Sequence, residues 1–348
     1  MNPVLDWPMG TTSGYACFID PEVNAMLKKV LNAWGAFLKS PASASALGND
    51  PCGWFCETGV NELTQAANSA SGTDLKFEEI FECDPSAEHY GFNSWDAFFT
   101  REFKEGVRPV ARPENDNVIV SACESLPYCT AENVKARDKF WIKGQPYSVA
   151  DMLAHDQLAP QFFGGTVYQA FLSSLSYHRW HAPVSGRIVK AYVQDGTYYA
   201  EPLFETLGDP NSRQIDKRNE AVSQAYLSAV ATRAIIFIEA DSSDIGLMCC
   251  VFVGMAEVST CHITVKEGDI VKKGDEVGMF HFGGSTHCLL FRPGVKVSGF
   301  PEKGKKENVP VRGYLAEVTT SVSNSVTQAT HNSEKQMSEG KEDEGKEK

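Results

Sequence analysis

Two stretches of the chain concentrate side chains that can move protons or open a peptide bond. The first is Tyr177-His178-Arg179-Trp180-His181-Ala182-Pro183, with two imidazoles that can each gain or lose a proton near neutral pH. Three residues apart, they share one helical face or straddle a turn. A zinc reading needs further ligands, for which His281 and His287 are the candidates close to another unusual segment, and His-x-x-His alone is a weak zinc signal. Two ordinary hydrogen-bonded histidines are the other reading. The second stretch is Gly278-Met-Phe-His281-Phe-Gly283-Gly284-Ser285-Thr286-His287-Cys288-Leu-Leu-Phe291, a β-rich run broken by Gly-Gly-Ser-Thr. Glycine gives a strand no side chain to pack. It does permit backbone angles denied to other residues, and it leaves the Gly284 carbonyl sterically open. The Ser285 hydroxyl stands beside that carbonyl, and a strained Gly-Ser bond can rearrange from amide to ester once a base takes the hydroxyl proton. On Gly-Gly-Ser alone, a β-bulge or a tight turn is the favoured reading.

Holding such groups in place takes a core, and the chain can build one. Its 348 residues are 42% hydrophobic, enough for one large domain or two moderate ones and too many for wholesale disorder. A formal charge of −13 argues against a sequence-independent grip on nucleic acid phosphates, so no nucleic-acid partner is expected. The longest uncharged apolar stretch, Ile245 to Ala256, falls short of the roughly 20 residues of a spanning helix. No basic-then-apolar leader follows Met1, so a soluble cytoplasmic protein without an integral membrane anchor is expected. The ten cysteines then sit in a reducing compartment, and Cys249 and Cys250, inside an apolar run, read as core.

Local signals outline the elements. Asp20 and Pro21 open a helix carrying Val23, Met26, Leu27, Val30, Leu31, Trp34, Phe37 and Leu38 on one face, with Lys28, Lys29 and Lys39 left for solvent. A second helix is expected around Asn61 to Ser69, and Ser94 caps a short one bearing Trp95, Phe98, Phe99 and Phe103, aromatics that read as core. After Pro113 the pattern turns to β: Val118–Ala122, then Phe140-Trp141-Ile142 before a Lys143–Pro146 turn, then a helix from Ser148. Strands dominate from Gly186, with Arg233–Glu239 and Ile245–Gly254 flanking a hairpin connection, while Glu201–Leu227 reads as an irregular surface excursion. Segments 186–196 and 260–278 echo one another and resemble the paired strand–turn units of lipoyl and biotinyl carrier domains, without the carriers' lysine hairpin. From Thr319 onward the chain is too polar to offset the entropy of ordering, and a disordered tail is expected.

In series, these motifs closely resemble the phosphatidylserine decarboxylase family. The resemblance joins Gly283-Gly-Ser-Thr286 and Tyr177-His-Arg-x-His181-x-Pro183 to Phe98-Phe-Thr-Arg-Glu-Phe103, Val107-Arg-Pro-Val110 and Lys143-Gly-Gln-Pro-Tyr147. The amino-terminal part, with Tyr90-Gly-Phe-Asn-Ser-Trp-Asp-Ala-Phe-Phe99 and Ala122-Cys-Glu-Ser125, is similar to a fungal branch that includes L-tryptophan decarboxylase. Beside the longer fungal relatives this chain begins abruptly. The resemblance implies an α+β fold: an amino-terminal helical region (1–90), a β-rich catalytic domain with a carrier-like β-sandwich (91–318) and the polar tail (319–348). It implies a zymogen in which Ser285 attacks Gly284, the chain parts between them, and a pyruvoyl group forms from Ser285, the two fragments staying associated. His181 matches the family's processing base, and Glu124 stands where an aspartate usually orients it, one methylene longer. A Schiff base with the substrate amine then drains electrons as CO2 leaves, His178 assisting and His181 returning the proton, with no metal. The acidic chain without an anchor favours a free aromatic amino acid of tryptophan type over a phospholipid. Phosphatidylserine decarboxylation, a non-enzymatic carrier-like binding module and a zinc hydrolase are the competing expectations, and a homo-oligomer is compatible with the leading one.

Overall fold

The computed structural model describes residues 2–9, 11–137, 147–200, 218–255, 260–282, 285–302, 304 and 307–319. The amino-terminal third is helical: α1 (Asn2–Met9), α2 (Thr12–Phe18), α3 (Pro21–Leu38), α4 (Glu57–Ser71), α5 (Phe77–Ile80) and α6 (Trp95–Phe99). Then come β1 (Val118–Val120), β2 (Leu126–Glu132), α7 (Val149–Met152), β3 (Thr166–Leu172), β4 (Arg179–His181) and β5 (Gly186–Gln194). The chain continues with α8 (Arg218–Val230), β6 (Arg233–Ala240), β7 (Leu247–Gly254), β8 (Cys261–Ile263), β9 (Ile270–Val271) and β10 (Glu276–Phe280). It ends in β11 (Ser285–Phe291), β12 (Val297–Ser298) and β13 (Tyr314–Val318). The fold is thus α+β, as the motifs imply.

A seven-stranded antiparallel sheet, ordered β2-β3-β11-β7-β6-β5-β9, forms the centre. Because strand side chains alternate between faces, the sheet separates two cores. One face packs Tyr168, Ala170, Leu172, Phe252 and Leu289 against Trp180, Val277 and Phe280 of the small sheet β4-β10-β8, and against Ile119 and Leu315 of β1-β13-β12. The other packs Val167, Val251, Val253, Cys288 and Leu290 against helical residues including Leu31, Met152, Ala225 and Leu227. A third cluster, with Leu63, Phe77, Phe81 and Phe98, unites the helices ahead of the sheets.

The local signals held where they were chemical. Asp20 Oδ1 accepts from the amides of Glu22 (2.8 Å) and Val23 (3.1 Å), and Ser94 Oγ from Ala97 N (3.1 Å). β6 and β7 pair as a hairpin, and Cys249 and Cys250 are buried. The apolar face of α3 is wider than the face it buries: Leu31, Gly35 and Leu38 point inward while Met26, Val30, Trp34 and Phe37 are exposed. The short α6 ends at Phe99, so Phe103 lies beyond it. The end of the expected excursion 201–227, from Arg218, is instead helix α8, and residues 201–217 lie outside the described residues. The same holds for the Phe140–Pro146 strand and turn and for the tail beyond Thr319. No helix among the described residues is long and apolar enough to cross a membrane.

Candidate active site

Ser285 is the first residue of β11, the strand between β3 and β7, and it stands opposite Leu172 and Gly254. It is fully buried, and its Oγ has no hydrogen-bond partner among the described residues. Gly283 and Gly284 lie outside the described residues. On the chain leading to them, Phe282 packs with Leu38 of α3 and Phe99 of α6. The next residue, His281, is held between Asp96 (Nδ1 to Oδ1, 2.9 Å) and His262 (Nε2 to Nδ1, 3.2 Å).

The histidine pair sits on strand β4 and the residue before it, not on a helix. His178 is buried with its ring stacked on Phe99 at 4.1 Å, and its carbonyl accepts from Phe280 N at 3.0 Å. His181 is buried, and both ring nitrogens are engaged: Nδ1 lies 2.8 Å from Gly274 O, and Nε2 lies 3.1 Å from the Tyr177 hydroxyl. A carbonyl only accepts, so Nδ1 carries the proton and Nε2 accepts from Tyr177, an assignment made from the network. Arg312 Nε donates to the same carbonyl at 2.9 Å. Its 3.3 Å approach to Nδ1 is therefore two donors sharing one oxygen rather than a hydrogen bond between them. Burial first, then the Arg312 charge, pushes the His181 pKa down to about 3, against the opposing pull of the Gly274 carbonyl. Gly274 has φ +89°, and a Cβ there would lie 2.5 Å from Val110, so a glycine is what lets that carbonyl face His181.

Glu124 does not make the expected hydrogen bond to His181. Its carboxylate is bound by Arg108, with Nε to Oε2 at 3.0 Å and a terminal nitrogen to Oε1 at 2.5 Å, and by Val311 N at 2.9 Å. Arg108 also donates to Ala67 O (2.8 Å) and Ser71 Oγ (3.1 Å) of α4, and its guanidinium lies 4.4 Å from the Phe103 ring centroid. The Ala122–Ser125 segment reaches His181 through backbone: Ala122 O accepts from His181 N at 2.9 Å, and residues 121–125 pair with 309–313. Glu124 thus anchors the loop that delivers Arg312 to His181, one residue removed from the contact itself.

Arg108, Arg312 and Gly274 were missed as site residues, although Arg108 lies inside the Val107–Val110 motif and Gly274 inside the 260–278 segment. Also missed was a polar network on the opposite face of β11. Gln169 donates to Thr286 Oγ1 (3.1 Å) and to Gln224 O (3.2 Å), accepts from the Tyr147 hydroxyl (2.6 Å), and Thr286 Oγ1 donates to Ala170 O (2.9 Å). For the zinc reading, His281 and His287 do not converge with the His178/His181 pair: among the described residues no three His, Cys, Asp or Glu side chains gather as metal ligands.

The site thus sets a buried serine hydroxyl, without a partner among the described residues, after a glycine pair, and a neutral buried histidine on a neighbouring strand layer. Comparison with known proteins places the chain in a family. A family model of phosphatidylserine decarboxylase matches residues 95–312, and a second of the same description matches residues 1–63. The chain belongs to the phosphatidylserine decarboxylase family and is a decarboxylase, a carboxy-lyase. It is 46% identical to "Decarboxylase iboD" of Amanita muscaria over 84% of this chain and 83% of that one. It is 41% identical to an L-tryptophan decarboxylase of Psilocybe cubensis, over 85% of this chain and 69% of the relative. A phosphatidylserine decarboxylase proenzyme of Chlamydia trachomatis is 32% identical over 59% of this chain and 61% of its own length.

Proposed function

We propose that this chain is a zymogen that cuts itself between Gly284 and Ser285 and then decarboxylates a free aromatic L-amino acid of tryptophan type. The observation that carries the reading is Ser285 itself: a hydroxyl with no hydrogen-bond partner among the described residues, buried at the head of a strand that follows two glycines. Transfer of its proton to a base lets Oγ attack the Gly284 carbonyl, and the peptide nitrogen leaves with a proton. Loss of the Ser285 α-proton then expels the Gly284 carboxylate, and hydrolysis of the resulting dehydroalanine releases ammonia and leaves a pyruvoyl group. That group supplies a carbonyl able to take the substrate amine and to withdraw the electron pair left by departing CO2.

The residues present suit this chemistry. His181, neutral and with Nε2 free of a proton, has the protonation state of a base, and Tyr177 holds its ring in place. In the same form it has no Nε2 proton to return to a carbanion, so a donor role requires prior uptake of one there. His178, stacked on Phe99, is the imidazole assigned to assist CO2 loss. Full ladders to β3 and β7 hold Ser285–Phe291, which supports continued association of the two fragments after scission. The tryptophan-type substrate rests on the relatives' names, and the charge of −13 favours a free amino acid over an anionic lipid surface. Intact mass of the purified protein tests the scission: two fragments are expected from the wild type and one chain from Ser285→Ala. A single wild-type chain with an ordinary serine at 285 refutes the reading. CO2 release from tryptophan, tyrosine and phosphatidylserine vesicles, offered separately, tests the substrate, and release from the vesicles alone assigns the lipid activity instead.

A further inference from the structure

A buried imidazole with neither nitrogen hydrogen-bonded is costly, because each stranded polar group forfeits its bonds to water at about 1–3 kcal/mol. His287 is in that position: it is fully buried, and neither Nδ1 nor Nε2 has a partner among the described residues. Its ring centroid lies 6.2 Å from that of Tyr168 and 6.3 Å from that of Phe252. Phe252 in turn stacks on Trp180 at 4.2 Å. The Tyr168 hydroxyl, the Trp180 indole N–H and Ser285 Oγ also lack a partner among the described residues, and these groups lie on the side of the sheet that His287 faces.

Residues i and i+2 of a strand point to the same face, so His287 and Ser285 share it, about 6–7 Å apart along β11. Burial alone pushes the His287 pKa down to about 3. The ring is neutral at any ordinary pH and offers one N–H donor and one acceptor. Neither is used among the described residues, and the next position on this face is the one the proposed function converts into a carbonyl.

We propose that His287 donates a hydrogen bond to the carbonyl oxygen of the group formed at position 285. The inference rests on the scission reading above and adds a residue to the same site. An N–H aimed at that oxygen draws charge from the carbonyl carbon and speeds attack by an amine, with no proton transferred.

Wild type is compared with His287→Phe, which keeps an aromatic ring, and His287→Gln, which keeps a donor. Intact mass reports scission, and the rate of phenylhydrazine adduct formation reports carbonyl reactivity without turnover. All three chains are expected to be cut, His287→Phe to form the adduct about tenfold more slowly, and His287→Gln to stay within about threefold of wild type. Equal rates for wild type and His287→Phe overturn the assignment. A folded but uncut His287→Phe beside a cut wild type also overturns it, moving the ring to the scission step. An uncut wild type refutes the scission reading, and the assignment falls with it. Should Phe not be tolerated, His287→Leu is read by the same criterion.

Discussion

Replacing Glu124 separates two accounts of that residue. If it orients His181, as in the family pattern, its loss stops scission and leaves stability nearly untouched. The geometry says the reverse. The side chains of Glu124 and Arg108 are each 2% exposed and doubly bonded to one another. Removing one partner of a buried ion pair strands the other charge and costs about 3–5 kcal/mol. Arg108 keeps Ala67 O, Ser71 Oγ and the Phe103 face, which draws the figure toward the lower end, while loss of the Val311 N–H contact adds about 1 kcal/mol. Glu124→Ala should therefore lose about 3–5 kcal/mol by urea unfolding, measured in the uncut Ser285→Ala background so that one covalent chain unfolds. The double replacement Arg108→Met, Glu124→Leu should recover most of that loss, since a buried pair exchanged for apolar groups is often neutral. Glu124→Gln, with Ser285 present, should still cut, slowed by no more than about tenfold, because Gly274 O and Tyr177 already hold His181. A loss below about 1 kcal/mol together with abolished scission would refute the structural account and restore the direct contact.

Two further expectations concern burial. His181 and His287 both have folded pKa values depressed to about 3, so the unfolded chain binds protons that the folded one refuses; stability is complete above about pH 6.5 and falls as pH drops toward 3. At pH 5 each contributes about 2 kcal/mol of that loss, so His287→Phe in the Ser285→Ala background should be about 2 kcal/mol less acid-sensitive between pH 7 and pH 5, and an unchanged pH slope in urea melts counts against it. At Gly35 of α3 an added Cβ would sit 3.4 Å from the Phe282 ring. Gly35→Ala should be near neutral, its helix propensity of about 1 kcal/mol offsetting the tight contact, whereas Gly35→Leu should cost about 1–3 kcal/mol and slow scission, measured by melts and by the time course of cutting.

The parts legible in the sequence were those set by neighbours along the chain. Asp20 before Pro21 and Ser94 before an aromatic run cap helices because a short polar side chain reaches the next amides, whatever lies beyond. The β6–β7 hairpin shows for a similar reason, as two apolar runs flank a short polar connection. Glu124 was legible as a residue but not as a contact: its partner Arg108 stands sixteen positions earlier, and only the pairing of residues 121–125 with 309–313 shows that Arg312 holds the place beside His181. On α3, periodicity marks which residues could be buried, while the neighbours decide which are; with the stripe of Leu31, Gly35 and Leu38 covered, Trp34 and Phe37 stay outside. Helix α8 was hidden because the polar residues before it set the character of the whole stretch.

If the chain is cut as proposed, the position of β11 accounts for how it would keep its shape. A cut in a surface loop would be harmless but would leave the new end free in water, where a carbonyl meets any amine. A cut within a paired strand would break ladder hydrogen bonds. Ser285 is the first described residue paired to β3 and β7, so the ladder contacts seen among the described residues of β11 belong to the downstream fragment. Upstream, Phe282 in its pocket with Leu38 and Phe99, and His281 between Asp96 and His262, anchor the other side separately. The proposed scission would therefore fall between two independently held ends. A terminus formed at Ser285 by the proposed cut would stay on the face that residue shares with His287, where both are buried and an electrophile would meet side chains the fold has placed around it.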